Sequence, residues 1–139
     1  MLKGLWTIGV KVPDLDRELE FHRSIGNQIV LDEELELDGK KYRIPLIKMG
    51  DKYMHLAEKM VYESLLEDEL PYGCTHLVYV TTDFDADVQT ALESGAQQLH
   101  EPVQVRANFG ERRVAFMRSP SGWIFEYIDI IENLVPEVV

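Results

Sequence analysis

The sequence predicts an α+β fold of two β-α-β-β-β modules that form a curved sheet with a concave cavity, the helices lying on its outer face. Three observations predict it. A fixed offset of 69 residues carries Thr7 onto His76, and Asp14, Leu15, Asp16, Leu19 and Gly26 onto Asp83, Phe84, Asp85, Val88 and Gly95. Strand, helix cap, apolar helix positions and terminal glycine recur together, so about half the chain is a copy of the other half. The candidate strands alternate with period two, and each is followed or preceded by turn residues at fitting positions.

Trp6, Ile8, Val10 and Val12 alternate with Leu5, Thr7, Gly9 and Lys11. Such a strand has two distinct faces. The bulky face is expected under a helix, and the smaller face leaves space. Asp14 caps the helix that follows, Asp16 and Glu18 complement its dipole, and Gly26 stops it. Gln28 to Leu37 and Lys41 to Met49 read as extended runs joined by an Asp38-Gly39 hairpin turn. After Gly50-Asp51, Tyr53 to Ala57 closes the first module, residues 4–58.

Residues 59–72 form the connector. Val61, Leu65, Leu66 and Leu70, mixed with Glu63, Glu67, Asp68 and Glu69, suggest a short amphipathic helix with a solvated acidic face. The second module, residues 73–131, repeats the plan. Thr75 to Thr81 is a strand, and Asp83 caps a helix that ends at Gly95. Gln98 to Val105 is a strand, residues 106–111 a loop, and Arg112 to Arg118 a strand. Ser119 to Gly122 is a turn, and Trp123 to Ile130 is the last strand. The tail from Glu132 reads as an exposed end. The concave faces can meet within one chain or across a dimer.

With 139 residues, the chain is expected to be a single domain able to bury a core. Its net charge of −11 argues against nucleic acid and against an anionic membrane surface. No stretch reaches the roughly 18 apolar residues that span a bilayer. A lone cysteine, Cys74, rules out an internal disulfide and fits a reducing compartment. The expected location is cytoplasmic.

Equivalent strands of the two modules supply a set of polar side chains. The first strands give Thr7 and His76. The last strands give His55 and Glu126, which lie 71 residues apart. By alternation all four belong on the concave face. Two imidazoles and one carboxylate suit a divalent transition metal (Fe, Mn, Ni or Zn) rather than calcium, which prefers oxygen ligands. The metal set is therefore His55, His76 and Glu126, and Glu126 is also the candidate catalytic carboxylate. Thr7 is at most a weak fourth ligand. Set apart from these, His22 reads as packing or surface, His100 as an ordinary strand residue, and Cys74 as a small buried hydrophobe. Glu58 and Glu101 have the chemistry of bases, but nothing in the chain places them in the cavity.

Four strings in order carry a resemblance: Trp6 to Leu15, Tyr53 to Glu58, Thr75 to Val80, and Arg113 to Glu126. Together they resemble the vicinal oxygen chelate superfamily, which includes glyoxalase I, methylmalonyl-CoA epimerase, extradiol dioxygenases, and fosfomycin- and bleomycin-resistance proteins. The resemblance implies one glyoxalase-like domain over residues 1–139. It puts the family's metal positions on Thr7, His55, His76 and Glu126. Threonine at the first, where the family has His or Gln, is a departure, and so is histidine at the second, where Glu or Gln is common. The remaining His-His-Glu trio is similar to the extradiol dioxygenase set, whose ligands are distributed differently over the strands.

The implied function is that of a metal-dependent enzyme, with the ion chelating vicinal oxygens of a small substrate in a dioxygenase, lyase or isomerase reaction. The alternative is a metal-free small-molecule binding protein of the bleomycin-resistance type, in which Trp6, Tyr53, Phe109 and Trp123 line the cavity or an interface. The acidic balance would then favour a cationic ligand. A homodimer is expected for either.

Overall fold

The computed structural model describes residues 1–138, which form two compact units. One comprises Thr7–Thr75 and the other Met1–Trp6 with His76–Val139. The order of elements is β1 (Leu2–Lys11), α1 (Leu15–Ser24), β2 (Gln28–Leu31), β3 (Glu34–Leu37), β4 (Lys40–Arg43), β5 (Leu46–Met49), β6 (Lys52–Ala57), β7 (Gly73–Thr81), α2 (Phe84–Glu93), β8 (Gln97–Gln98), β9 (Val103–Ala107), β10 (Gly110–Arg118) and β11 (Ile124–Asn133). The class is α+β, and each half follows the β-α-β-β-β plan.

In the Thr7–Thr75 unit the strands run β2-β5-β6-β1. β1 and β6 are parallel, with Thr7 opposite Tyr53 and Gly9 opposite His55. Asp14 caps α1 by accepting from the Arg17 amide at 3.1 Å. Leu15, Leu19 and His22 form the buried stripe of that helix. Leu15 and Leu19 join Val12, Ile47 and Leu56 in one cluster, with Val10 and Met54 against it. By the strand's period of two, Thr7, Gly9, Lys11 and His55 therefore occupy the face away from α1.

The two long extended runs expected after α1 are each broken. The first divides at Asp32-Glu33 and the second at Ile44-Pro45, where proline removes a ladder donor. β3 and β4 then form a separate two-stranded sheet. The Asp38-Gly39 turn is present, with positive φ at both residues (51° and 75°), as a type I′ hairpin requires.

The connector is not the amphipathic helix expected. It holds a single 3-10 turn at Glu63–Leu65. Met60, Tyr62 and Glu63 are buried while Leu65 is exposed, and that spacing does not define a helical stripe. Glu63 is pulled inward instead of facing water. It takes the Lys11 ammonium at 2.9 Å and the Met60 amide at 2.8 Å.

In the other unit, β11 lies between β7 and β10, and β8 and β9 both pair with β10. β7 and β11 are parallel, with His76 opposite Ile124 and Val78 opposite Glu126. This is the register of β1 with β6, shifted by the two offsets read from the sequence. Asp83 accepts from the Ala86 amide at 3.3 Å and caps α2. Phe84 and Val88 pack with Ala115, Met117 and Phe125. His76, Val78, Glu126 and Phe116 alternate onto the opposite face. The strand expected from Gln98 to Val105 is split into β8 and β9 by Pro102. The expected loop at 106–111 is a tight turn at Asn108-Phe109, since Ala107 pairs with Gly110. Gly110 is required there. A Cβ would stand 2.1 Å from the Glu132 carbonyl oxygen, and φ is +113°.

Candidate metal and substrate site

Each module presents a pair of polar side chains on the face its helix leaves uncovered. In the second, His76 Nε2 and Glu126 Oε2 are 3.4 Å apart. Both are buried, at 4% and 9% exposure. Their strands place them together because Val78, two residues beyond His76, is opposite Glu126. Phe116 is directly opposite Glu126 on the other neighbouring strand. Its ring meets the His76 imidazole edge-on, with centroids 5.9 Å apart. Burial pushes the His76 pKa down to about 3, so the ring is neutral at physiological pH and keeps a lone pair on one nitrogen.

In the first module, Thr7 Oγ1 is 3.3 Å from His55 Nδ1. Thr7 is fully buried, and His55 is half-buried. Four residues along β1, on the same face, Lys11 is buried as well. It donates to Glu63 and to the Leu70 carbonyl, each at 2.9 Å, and stands 5.4 Å from the Tyr72 ring centre. Sequence reasoning passed over this lysine. The signal was a charged residue at an inward position of an alternating strand, followed by an acidic connector.

The remaining candidates are placed plainly. His22 is a packing residue: it is buried on α1, with Asn27 Nδ2 3.0 Å from its Nδ1. His100 is exposed. Cys74 is exposed rather than a buried hydrophobe: it shares the face of His76, two residues on, but is the second residue of β7, before the buried run of that strand begins. Glu58 is a helix-terminal acceptor, taking the Leu15 amide at 3.0 Å. Trp6 is buried against Phe109 and the Arg112 guanidinium, whereas Trp123 is exposed. A cavity of about 250 Å³ lies toward the ends of β7 and β11, with Trp6, Val80, Thr81, Asp129 and Asn133 among its walls.

An imidazole and a carboxylate side by side in a buried position fit a borderline divalent ion by the chemistry of their donors. Among the described residues, no group of three or more His, Cys, Asp or Glu side chains is gathered as a complete metal site.

No family model matches the sequence, and no curated protein matches it significantly. Solved structures do match. A variant of methylmalonyl-CoA epimerase from Streptomyces coelicolor, in complex with 2-nitronate-propionyl-CoA, is 23% identical with a TM-score of 0.74, over 95% of this chain and all of that one. A methylmalonyl-CoA epimerase in complex with methylmalonyl-CoA and NH4+ is 23% identical with a TM-score of 0.73, over 98% of this chain and all of that one. The Mycobacterium tuberculosis epimerase is 22% identical with a TM-score of 0.66, over 92% and 88% of the two chains. This chain therefore has the fold of the vicinal oxygen chelate superfamily, to which those epimerases belong.

Proposed function

We propose that this protein is a metal-dependent enzyme acting on a small molecule with two neighbouring oxygens, with His55, His76 and Glu126 as ligands and Glu126 as the catalytic carboxylate. Isomerisation by proton transfer next to a carbonyl is the reaction we favour. Epimerases of this fold act as relatives in that class, and methylmalonyl-CoA bound to one of them has the required neighbouring oxygens. The observation that carries the reading is the buried His76–Glu126 pair, on the uncovered face and in the register that the repeat also gives to His55.

The residues divide the work. His76, held neutral by burial, offers a ring lone pair without first losing a proton. Glu126 brings the negative charge and can hold a proton at a carboxylate oxygen. Phe116 walls the pair from water and so strengthens its electrostatics. A divalent Fe, Mn, Ni or Zn ion, when bound, supplies the Lewis acidity that polarises the substrate oxygens. We also propose that the protein works as a homodimer, in line with the family resemblance.

The test is elemental analysis of tag-free protein before and after reconstitution with each ion. About one equivalent is expected, with at least a tenfold loss of affinity in His76→Ala and Glu126→Ala. No uptake of any ion, together with ligand binding that survives His55→Ala and His76→Ala, would overturn the enzyme reading in favour of a metal-free binding protein.

A further inference from the structure

We infer that Arg118 is a specificity residue of the His76–Glu126 site, taking a carboxylate group of the substrate on its guanidinium. The inference deepens the functional reading above, and rests on it for where the reacting oxygens sit.

The placement comes from register. Arg118 is the last residue of β10 and lies opposite Ile124 on β11, which in turn lies opposite His76 on β7. The three form one row across the ladder, with Arg118 two strand spacings, about 10 Å, from His76. Residues directly opposite one another share a face. Met117, one residue earlier, packs with Phe84 and Val88 of α2, so Arg118 belongs to the uncovered face. Phe116 and Glu126 make up the next row of that same face.

Its bonding sets this arginine apart. Arg118 is half-buried, and its Nε is buried with no hydrogen-bond partner. Among the described residues its guanidinium makes no hydrogen bond and no ion pair, and its terminal nitrogens stay within reach of solvent. The other arginines that are not exposed all have acceptors. Arg112 donates to three backbone carbonyls and to Asn133 Oδ1, Arg113 pairs with Asp85, and Arg43 with Asp32 and Asp16. Glu126, in the adjacent row, is turned to His76 instead.

The chain has 25 acidic side chains against 14 basic ones, yet supplies none of the acids to this guanidinium. A partly desolvated charge without a counter-charge is costly to keep, and a ligand that brings the counter-charge offsets that cost. The flat fork of arginine matches a carboxylate through two parallel N–H···O bonds. A carboxylate on Arg118 anchors the substrate one row from the reacting centre and sets which end faces Glu126. An ester or amide in its place leaves the guanidinium unpaired and is rejected.

The test uses malonate as probe, dimethyl malonate as its uncharged analogue, and inorganic phosphate as an anion of different shape. Binding to the ¹⁵N-labelled full chain is followed with and without Zn²⁺, by calorimetry and by the NMR signal of the Arg118 Nε–H. That signal is identified by its loss in Arg118→Lys. Malonate is expected to shift it in the wild type, a readout that needs no variant to fold, and dimethyl malonate to leave it in place. Arg118→Gln is expected to bind malonate at least about tenfold more weakly, the loss of one charge-assisted pair, and Arg118→Lys to recover only part. An unmoved signal, or equal malonate affinity in wild type and Arg118→Gln, overturns the inference, and tighter binding of phosphate than of malonate overturns the carboxylate assignment. If Zn²⁺ is taken up but malonate affinity does not depend on Arg118, this inference falls and the metal reading stands. Arg118-dependent malonate binding in a protein that takes up no metal supports the inference and sinks the metal reading.

Discussion

His76 is the residue whose charge state depends most on the fold. In the unfolded chain its pKa is near 6.5, and in the folded protein burial lowers it to about 3. As pH falls below 6.5, the unfolded chain takes up a proton that the folded chain refuses, so unfolding is favoured. Stability is therefore full above pH 6.5 and is lost progressively toward pH 3. Urea midpoints of chelator-treated protein are expected to fall across that window, by about 3 kcal/mol at most between pH 6.5 and 4. Glu126 beside the ring favours the imidazolium and reduces the figure. In His76→Gln the same pH profile is expected to flatten. A wild-type profile already flat from pH 7 to 4 would mean that the imidazole is not held neutral.

At the scale of elements, the connector is held by a charge rather than by helical periodicity. Lys11 and Glu63 are almost wholly buried, with side chains 7% and 3% exposed. The pair survives burial because its other polar atoms are also satisfied, by the Leu70 carbonyl and the Met60 amide. Removing one partner strands the other. Lys11→Met is expected to destabilise by about 3–5 kcal/mol in denaturant melts, whereas Lys11→Met with Glu63→Leu recovers most of that loss. Hydrogen exchange at residues 60–72 is expected to rise in the single variant. If the single and double variants lose the same stability, the pair does not hold the connector. A surface pair makes a useful contrast. Arg43 joins Asp32 and Asp16 at 2.9 and 2.8 Å, but all three are about a third exposed or more, and Arg43→Ala is expected to cost only about 1 kcal/mol.

For the whole molecule, the net charge of −11 bears on the choice of substrate. An anionic thioester approaches an acidic protein against its field, and salt screens that repulsion. Association of such a ligand is expected to quicken as ionic strength rises from about 0.01 to 0.15 M, where the Debye length falls from about 30 to 8 Å. A cationic ligand would show the opposite trend, as the metal-free binding reading requires. Stopped-flow rates at several salt concentrations separate the two. Light scattering on the purified protein is expected to give twice the chain mass, and a monomer at working concentration would refute the proposed dimer. Among the described residues, no helix is long and apolar enough to cross a membrane.

The sequence alone determined the two modules, their helix caps, the Asp38-Gly39 hairpin and which face each strand residue takes. Those features depend on short-range rules: a capping oxygen three residues from its amide, a glycine at positive φ, a side-chain period of two. They also sufficed to pair His76 with Glu126, because strand register repeats with the modules. Only the tertiary structure decided that Glu63 turns inward, that Cys74 is exposed, and that Thr7 Oγ1 lies 3.3 Å from His55 Nδ1. Each of those outcomes depends on a partner distant in the chain or on what covers the end of a strand. A buried ammonium overrode the acidic face of an expected helix because the cost of leaving that charge unpaired exceeds any helical preference of a short connector.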